Sequence, residues 1–477
     1  MSLKAVTRVF VFGLMLSVSA KLSYAGQSLI AAGTLDASGA DLSTKTAKPL
    51  ENGFAGNLFG GTGSGLGHAG GDRFIAVPDR GPNAVTYNTC VDNTTSYITR
   101  FHTLRLRLTP NDGAGLPFVL KPSLEETTLM ASSTPLTYAS GLAGCPTLPD
   151  GDPKLNNNHT FYFTGRSDNF GSSLSTNPTN ARFDPESVRL SRDGKSIFVS
   201  DEYGPYIYRF DRASGLRIGV FTLPDKFAVD HLAPVESVEI GSNSIGRVAN
   251  KGMEGLAITP DGSTLVGIMQ SALAQDGGDL AGQVLRIVTI DIESGAVTHE
   301  YAYPTDVDGR KYTVSDIVAV NDHVFLVDER DGRGLGDNSD ARFKKLFLID
   351  LDPATATDVS NMSGKAALAA NAVAKHLFIN LVAELTKPLG SGGLGLAATQ
   401  IPAKLEGIAF GQDVVLDGAT KHTLFIANDN DFLPTFNGVA NPNQFFVFAF
   451  DDEDLQSAFG DQAHGGLTLE PQVFEKK

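Results

Sequence analysis

The chain has 477 residues, a formal net charge of −16, 51 glycines, no tryptophan and two cysteines. The acidic balance argues against nucleic acid as a partner, because phosphate backbones are bound by clustered Lys and Arg. Two cysteines are too few for a thiolate metal site, and the high glycine content favours an all-β fold rich in turns.

The first 25 residues have the pattern of a secretory signal peptide. Basic residues precede a short apolar run at 9–18, and small residues follow up to Ala25, with a second candidate cleavage point after Ala20. A buried N-terminal helix is the alternative. No later stretch is long and apolar enough to span a bilayer. The sequence therefore predicts an exported protein, periplasmic or secreted, in which 26–477 form a single domain.

Further along the chain, a strand–turn–strand unit repeats four times. Each unit opens with a carboxylate, at Glu186, Glu254, Asp316 and Glu406. Each unit closes on a polar or acidic cluster, at Asp201-Glu202, Gln270-Ser271, Asp328-Glu329-Arg330 and Asn428-Asp429-Asn430-Asp431. A weaker fifth copy runs from Ser64 to Asp79. Four-stranded units in series are typical of propeller blades, so the repeats predict an all-β β-propeller.

We favour six blades, with five or seven as the alternatives. The sixth blade would form from 28–35, 466–473 and parts of 116–165, and pairing of the two ends of the chain would remove exposed sheet edges. The domain is clearest over 50–450.

Three features depart from the repeats. Residues 131–181 are rich in Asn, Ser, Thr, Gly and Pro, which predicts a long loop. Residues 364–386 have helical spacing of apolar residues, which predicts a helical insertion that either covers the ring or packs on its surface. Cys90 and Cys145 predict a disulfide in an exported chain, with two separate buried thiols as the alternative.

The carboxylates at the strand openings should converge, because the innermost strand of each blade lines the central channel. Converging buried carboxylates repel one another, and a bound cation offsets that repulsion. Oxygen ligands at flexible distances favour Ca²⁺. The alternative is that each acid caps its own blade. The predicted metal ligands are Glu186, Glu254, Asp316, Asp328, Glu329, Glu406 and Asp429.

Basic residues near these acids predict a small anionic or ester substrate. Arg80, Lys251 and Arg330 are the predicted substrate-binding residues, since a guanidinium binds phosphate or carboxylate at two points. Alternatively, the two arginines pair with neighbouring acids and hold the loops. The predicted catalytic groups, as ligand or general base, are Glu186, Asp201, Glu254 and Glu406.

Several motifs together carry a resemblance to a known family. They are GGTGSGL, AVPDRGPN, DPESVRLSRDGKSIFVSDEYGP, NKGMEGLAITPDG, SDIVAV with LVDERDG, and KLEGIAF with IANDNDF. As an ordered set over about 50–450, they resemble the exported bacterial phytase-like family, also called "esterase-like activity of phytase". The E-G-apolar opening is also similar to that of gluconolactonase-type calcium propellers. The resemblance implies a β-propeller, export and hydrolysis of a phosphoester or related ester with Ca²⁺.

Two functions are consistent with these observations. The first is a calcium-dependent hydrolase of a phosphate monoester or related ester. The second is a non-catalytic exported binding module in which the calcium is structural.

Overall fold

The computed structural model describes residues 26–138, 148, 151–204, 206–460, 466–472 and 474. The predicted signal peptide at 1–25 lies outside the described residues. Cys145, one half of the predicted disulfide, also lies outside them. Both therefore stay predictions.

Five antiparallel sheets, each with a path of four strands, make up the fold. From the innermost strand outward, blade 1 contains Gly65–His68, Arg73–Val77, Arg100–Pro110 and Phe118–Leu129. Blade 2 contains Pro185–Leu190, Ser196–Asp201, Tyr206–Asp211 and Arg217–Thr222. Blade 3 contains Met253–Ile258, Thr264–Met269, Val284–Asp291 and Val297–Pro304. Blade 4 contains Thr313–Ala319, Val324–Arg330, Lys344–Asp350 and Lys375–Asn380. Blade 5 contains Lys404–Phe410, Ala419–Asp429, Asn443–Phe450 and Ser28–Leu35, with Val414–Leu416 paired to its second strand.

The inner strands close into a ring, because each packs beside the inner strands of two other blades. The fold is thus the all-β propeller that the repeats predict, but the described residues form five blades and not the favoured six. Ser28–Leu35, assigned to a sixth blade, instead completes blade 5 by pairing with Asn443–Phe450. Phe118–Leu129 is the outermost strand of blade 1, and 466–472 form no strand. Two of the candidate strands therefore belong to other blades, and the third is not a strand.

The hydrophobic core is divided among the five interfaces between neighbouring blades. Successive residues of a strand face opposite sides of its sheet, so each second strand supplies two interfaces. In blade 2, for example, Ile197 packs toward blade 1 and Phe198 toward blade 3. In blade 4, Phe325 packs toward blade 3 and Leu326 toward blade 5. This alternation lets continuous apolar strands bury both faces.

The tight turns agree with the sequence prediction, whereas the predicted helical segment is helical only in part. Asp-Gly turns join the first two strands of blades 2 and 3, with Gly194 and Gly262 at positive φ, as hairpin turns require. The segment 364–386 contains two short helices, Lys365–Ala369 and Leu381–Thr386, but its centre is the outermost strand of blade 4.

The remaining elements are short. Two further helices are Glu236–Ser242 and Asp452–Phe459. The 3-10 turns are Thr44–Thr46, Thr89–Val91, Asp225–Phe227, Ala274–Asp276, Leu389–Ser391 and Ala398–Gln400. Two-stranded ribbons pair Ala131–Ser132 with Phe161–Tyr162 and Thr435–Phe436 with Val439–Ala440. Within the described ranges, no helix has the length and apolar character needed to cross a membrane.

Candidate functional site

The inner strands of four blades begin with a β-bulge. In blades 2, 3 and 5 the strand register is interrupted at Glu186, Glu254 and Glu406 respectively. A bulge leaves a residue outside the regular ladder and turns its side chain in a new direction. The bulges thus direct a carboxylate from each of three blades toward the same end of the ring. In blade 4 the bulged residue is Ser315.

The glycine that follows two of these glutamates permits close packing of the inner strands. A Cβ atom on Gly255 would lie 2.9 Å from the Cα of Asp316 in the next blade. A Cβ atom on Gly407 would lie 2.8 Å from the backbone nitrogen of Leu66. Such distances do not occur between real atoms at rest, so only glycine fits. The Glu-Gly motif therefore combines a site carboxylate with a close approach of two backbones.

Three carboxylates of blade 2 meet at the mouth of the ring. Asp184, Glu186 and Glu202 each offer one oxygen, and the three oxygens lie within 4.8 Å of one another. All three residues are buried. Asp184 and Glu202 were not among the predicted site residues. Asp184 stands two positions before Glu186 in the DPES motif, and Glu202 stands in a closing cluster, so the sequence did carry a signal for both.

Acids from other blades extend this cluster. Burial raises the pKa of Glu186 well above its usual value, and the charge of Glu254 raises it further. Burial likewise raises the pKa of Glu254, with contributions from Glu202 and then Glu406. The acidic cluster, as we name it, consists of Asp79, Asp184, Glu186, Glu202, Glu254, Glu406 and Asp429. Blades 1, 2, 3 and 5 each supply at least one member.

The acidic cluster extends to the ends of the second strands on the same side. Burial raises the pKa of Asp79 well above its usual value, and the charges of Asp429 and Asp184 add to the shift. Burial raises the pKa of Asp429 to about 6, although Lys404 lowers it. Buried carboxylates with raised pKa values and like-charged neighbours are common at functional sites.

Several buried oxygens at this mouth have no hydrogen-bond partner. They are Asp201 Oδ2, Glu202 Oε1, Glu254 Oε2, Gln270 Oε1 and both carboxylate oxygens of Asp328. A buried acceptor without a partner is costly, so such atoms point to an ion or ordered water. A set of hard oxygen donors, most of them anionic, fits Ca²⁺ better than a transition metal.

The predicted substrate-binding arginines lie at the acidic cluster, but both are paired with acids. Arg80 donates to Asp184 over 3.0 Å and also to the side chain of Asn250. Arg330 bonds Glu406 and donates over 2.7 Å to Ser315. In blade 4, Arg330 and Ser315 thus occupy the place that a bulged glutamate has in three other blades.

Lysines at the cluster differ in how they are paired. Lys404 contacts Asp429 over 2.8 Å and Asp431 over 2.5 Å. Lys251, the third predicted substrate-binding residue, is half-buried, and within the described ranges its ammonium group has no recorded hydrogen bond or ion pair. Lys251 follows Asn250, whose side chain accepts from Arg80, and precedes Gly252, which packs against the backbone of Glu202.

Asp316, a predicted metal ligand, lies apart from the acidic cluster on the axis of the ring. Its carboxylate accepts from Arg189 Nη2 over 2.9 Å, from the Ser187 hydroxyl over 2.8 Å and from the Ile408 backbone N–H over 3.0 Å. Asp316 comes one residue after the bulge at Ser315. A shift of one residue along a strand turns the side chain to the other face, which accounts for the different position.

The Arg189–Asp316 pair joins the inner strands of all five blades. Arg189 donates to the carbonyl of Leu66 in blade 1 over 2.6 Å, and the carboxylate of Asp316 reaches the backbone N–H of Leu256 in blade 3 at 3.4 Å. Blades 2, 4 and 5 contribute Arg189, Asp316 and Ile408. Since its oxygens are already satisfied, Asp316 is better explained as a structural group than as a metal ligand.

Three other predicted residues occupy distinct positions. Asp201 Oδ1 accepts the backbone N–H groups of Asp184 and Tyr203, so it shapes the turn that carries Glu202, and burial raises its pKa to about 7. Asp328 is fully buried at the cluster side of blade 4. Glu329 points to the opposite face of the strand, where it bonds Tyr303 and Lys375, so it does not reach the acidic cluster.

Comparisons with solved structures give low overall similarity. Hydrazine synthase from Kuenenia stuttgartiensis matches at a TM-score of 0.30 and 9% identity, covering 78% of each chain. A periplasmic gluconolactonase from Pseudomonas aeruginosa matches at a TM-score of 0.31 and 11% identity, covering 80% of this chain and 87% of that one. Similarity at this level carries no argument about function.

Comparisons of sequence are more informative. An uncharacterised secreted protein from Arthroderma benhamiae is 32% identical over 295 residues, which is 54% of this chain and 54% of that protein. This chain therefore spans about half the length of the curated relative that it matches. The model of the phytase-like family, described as "esterase-like activity of phytase", matches residues 57–432. Because that match covers most of the chain, including every residue of the acidic cluster, the protein belongs to the phytase-like family.

Proposed function

We propose that the protein is an exported, calcium-dependent hydrolase of a phosphate monoester or a related ester. The observation that carries the proposal is the convergence of Asp184, Glu186 and Glu202 within 4.8 Å, in a buried cluster that other blades extend. The phytase-like family and the secreted fungal relative support the same reaction class and location.

Asp184, Glu186 and Glu202 would hold the cation, with Glu254 the nearest additional donor. A divalent cation bound there supplies Lewis-acid polarisation of the ester oxygen that gains charge in the reaction. Its charge also offsets the repulsion that otherwise raises the pKa values of these carboxylates.

The residues of the chain would divide the remaining tasks. Glu254 is suited to hold or transfer a proton, because its carboxyl group faces that of Glu202 at the edge of the cation site. Arg330 fixes the position of Glu406 through their ion pair. Arg80 does the same for Asp184. Asp201, earlier a candidate base, serves to shape the turn that carries Glu202.

The experiment compares three variants in metal-depleted protein that is titrated with Ca²⁺. The active-site variants are Glu254→Gln and Glu406→Gln, and Glu293→Gln in an exposed turn is the matched control. Isothermal titration measures calcium affinity, and turnover is followed on phosphomonoesters, phosphodiesters, carboxyl esters and lactones. We expect calcium-dependent hydrolysis by the parent and the control, and loss of at least about 100-fold in Glu254→Gln. Absence of hydrolysis of all four classes of substrate would contradict the proposal.

A second function is favoured by one specific observation. Glu186, Glu254 and Glu406 are only 7%, 2% and 4% exposed, and such deep burial also suits a purely structural ion in a binding module. In that case Glu254→Gln lowers the melting temperature of the calcium-loaded protein, and the parent turns over no substrate. For the hydrolase, the variant stays folded and loses turnover.

A further inference from the structure

The basic groups of the acidic cluster are already paired within the protein. Arg80 is held by Asp184, with Glu236 at 3.6 Å on its other side. Arg330 is held by Glu406. Separating a buried charge pair leaves an uncompensated buried charge, which is strongly unfavourable. A substrate with many negative charges would have to break these pairs, and it would meet an excess of carboxylates as it did so.

The arginine on the axis of the ring is also already paired within the protein. Arg189 lies below the acidic cluster, and it donates to Asp316 and to the backbone carbonyls of Leu66 and Ile317. Because this pair bonds the inner strands of all five blades, it lies across the axis between the two mouths. A substrate therefore approaches the acidic cluster from the mouth at which the carboxylates lie.

One basic side chain at that mouth remains available. Lys251 is half-buried, and in the described part of the chain no acid or carbonyl is recorded as its partner. Glu236, which also faces Arg80, is close enough to interact with its charge. Its two neighbours in sequence fix its place at the rim, because Gly252 packs against the backbone of Glu202 and the side chain of Asn250 accepts from Arg80.

From these contacts we infer that Lys251 is a specificity-determining residue that binds one negatively charged group of the substrate beside the scissile ester. The preferred substrates thus carry a single negative charge next to the ester, and polyphosphorylated compounds are rejected. The inference rests on the proposed hydrolase function and names the substrate class for the same site.

The kinetic test uses a matched pair of substrates on calcium-loaded protein. The 4-nitrophenyl monoester of succinic acid carries one free carboxylate, and 4-nitrophenyl acetate carries none. In Lys251→Ala we expect KM for the charged ester to rise about tenfold, as for loss of one charge-assisted hydrogen bond, with kcat unchanged. For 4-nitrophenyl acetate, neither kcat nor KM should change. Lys251→Arg should restore KM, and Lys195→Ala, on an exposed hairpin at the other end of blade 2, should match the parent.

A binding measurement separates failure of this inference from failure of the proposed function. Glu254→Gln protein loaded with calcium is titrated with monomethyl succinate and with inositol hexakisphosphate premixed with calcium. We expect the monoanion to bind and Lys251→Ala to weaken its binding about tenfold, whether or not any ester is hydrolysed. Tighter binding of the polyphosphate, or monoanion binding that is the same without Lys251, overturns the inference. Absence of turnover with binding intact rejects the hydrolase and retains the role of Lys251.

Discussion

Two buried groups of charges lie on the axis of this propeller, and they differ in how their atoms are satisfied. At the centre, the carboxylate of Asp316 has Arg189 and several N–H and hydroxyl donors around it. At the mouth, Glu202 and Glu254 each keep a buried oxygen without a partner. A saturated charge pair holds strands together, whereas an unsaturated set of like charges needs a ligand. Burial and charge alone therefore do not identify a site.

The largest expected effect comes from breaking the central pair. Asp316→Ala leaves Arg189 buried without a counter-charge and should lower the free energy of unfolding by about 3–5 kcal/mol. Urea denaturation measures the change. Asp322→Ala, in an exposed turn of the same blade, should cost less than about 0.5 kcal/mol. The double variant Arg189→Met with Asp316→Leu should be less destabilised than Asp316→Ala, and equal losses would show that the pair is not the cause.

A smaller loss of stability should follow from a methyl group at Gly407. The added Cβ would meet the backbone of Leu66, Gly63 and Gly65 at 2.8–2.9 Å, and backbone cannot rotate away as a side chain does. Overpacking of this kind costs about 1–3 kcal/mol. Gly390→Ala is the control, since a Cβ there has no atom within 4 Å. Thermal unfolding compares the two, and an unchanged melting temperature in Gly407→Ala would contradict the packing argument.

The smallest expected effect is that of pH on the stability of the calcium-free protein. The pKa of Asp201 is raised to about 7 and that of Asp429 to about 6, mainly by burial. A group whose pKa is higher in the folded state binds its proton more tightly there, so the fold loses stability as the pH rises from the unfolded pKa, about 4, to the folded pKa. Stability should therefore increase as the pH falls from about 7 toward about 4, by at most about 1.4 kcal/mol per pH unit for each proton bound.

Urea midpoints at several pH values, in the presence of a chelator, test this expectation. Saturating Ca²⁺ should flatten the dependence, because a bound cation favours the charged carboxylates. Asp201→Asn should remove the part of the dependence that Asp201 contributes below about pH 7. A calcium-free protein that loses stability over this range as the pH falls would contradict the account of the cluster.

The sequence predicted the architecture because each blade carries its own period-two strands and turns. The repeated Glu-Gly openings at Glu254 and Glu406 indicated inner strands, and these residues do lie at one mouth of the ring. Blade number was harder to predict. Ser28–Leu35 has an ordinary strand pattern, and only its pairing with Asn443–Phe450 shows which blade it completes.

The site could be predicted only in part, because local pattern does not fix side-chain direction at a bulge. Asp316 occupies an opening that looks equivalent to Glu254, yet the bulge at Ser315 turns it toward Arg189. Glu329 lies beside Asp328 in sequence but on the other face of the strand. Asp184 precedes the strand, and its proximity to Glu202 depends on how the chain enters blade 2.

The strand Ser28–Leu35 has a consequence for how the molecule is made. Its partner Asn443–Phe450 lies at the far end of the propeller sequence, so Ser28–Leu35 stays unpaired until almost the entire domain has been synthesised. Until then, Ser28–Leu35 presents unpaired edges, which favour aggregation, and contacts between such distant segments form slowly. Chaperone protection during biogenesis is thus most valuable for the pairing of these two strands. A chain shortened at either strand cannot close the ring of blades.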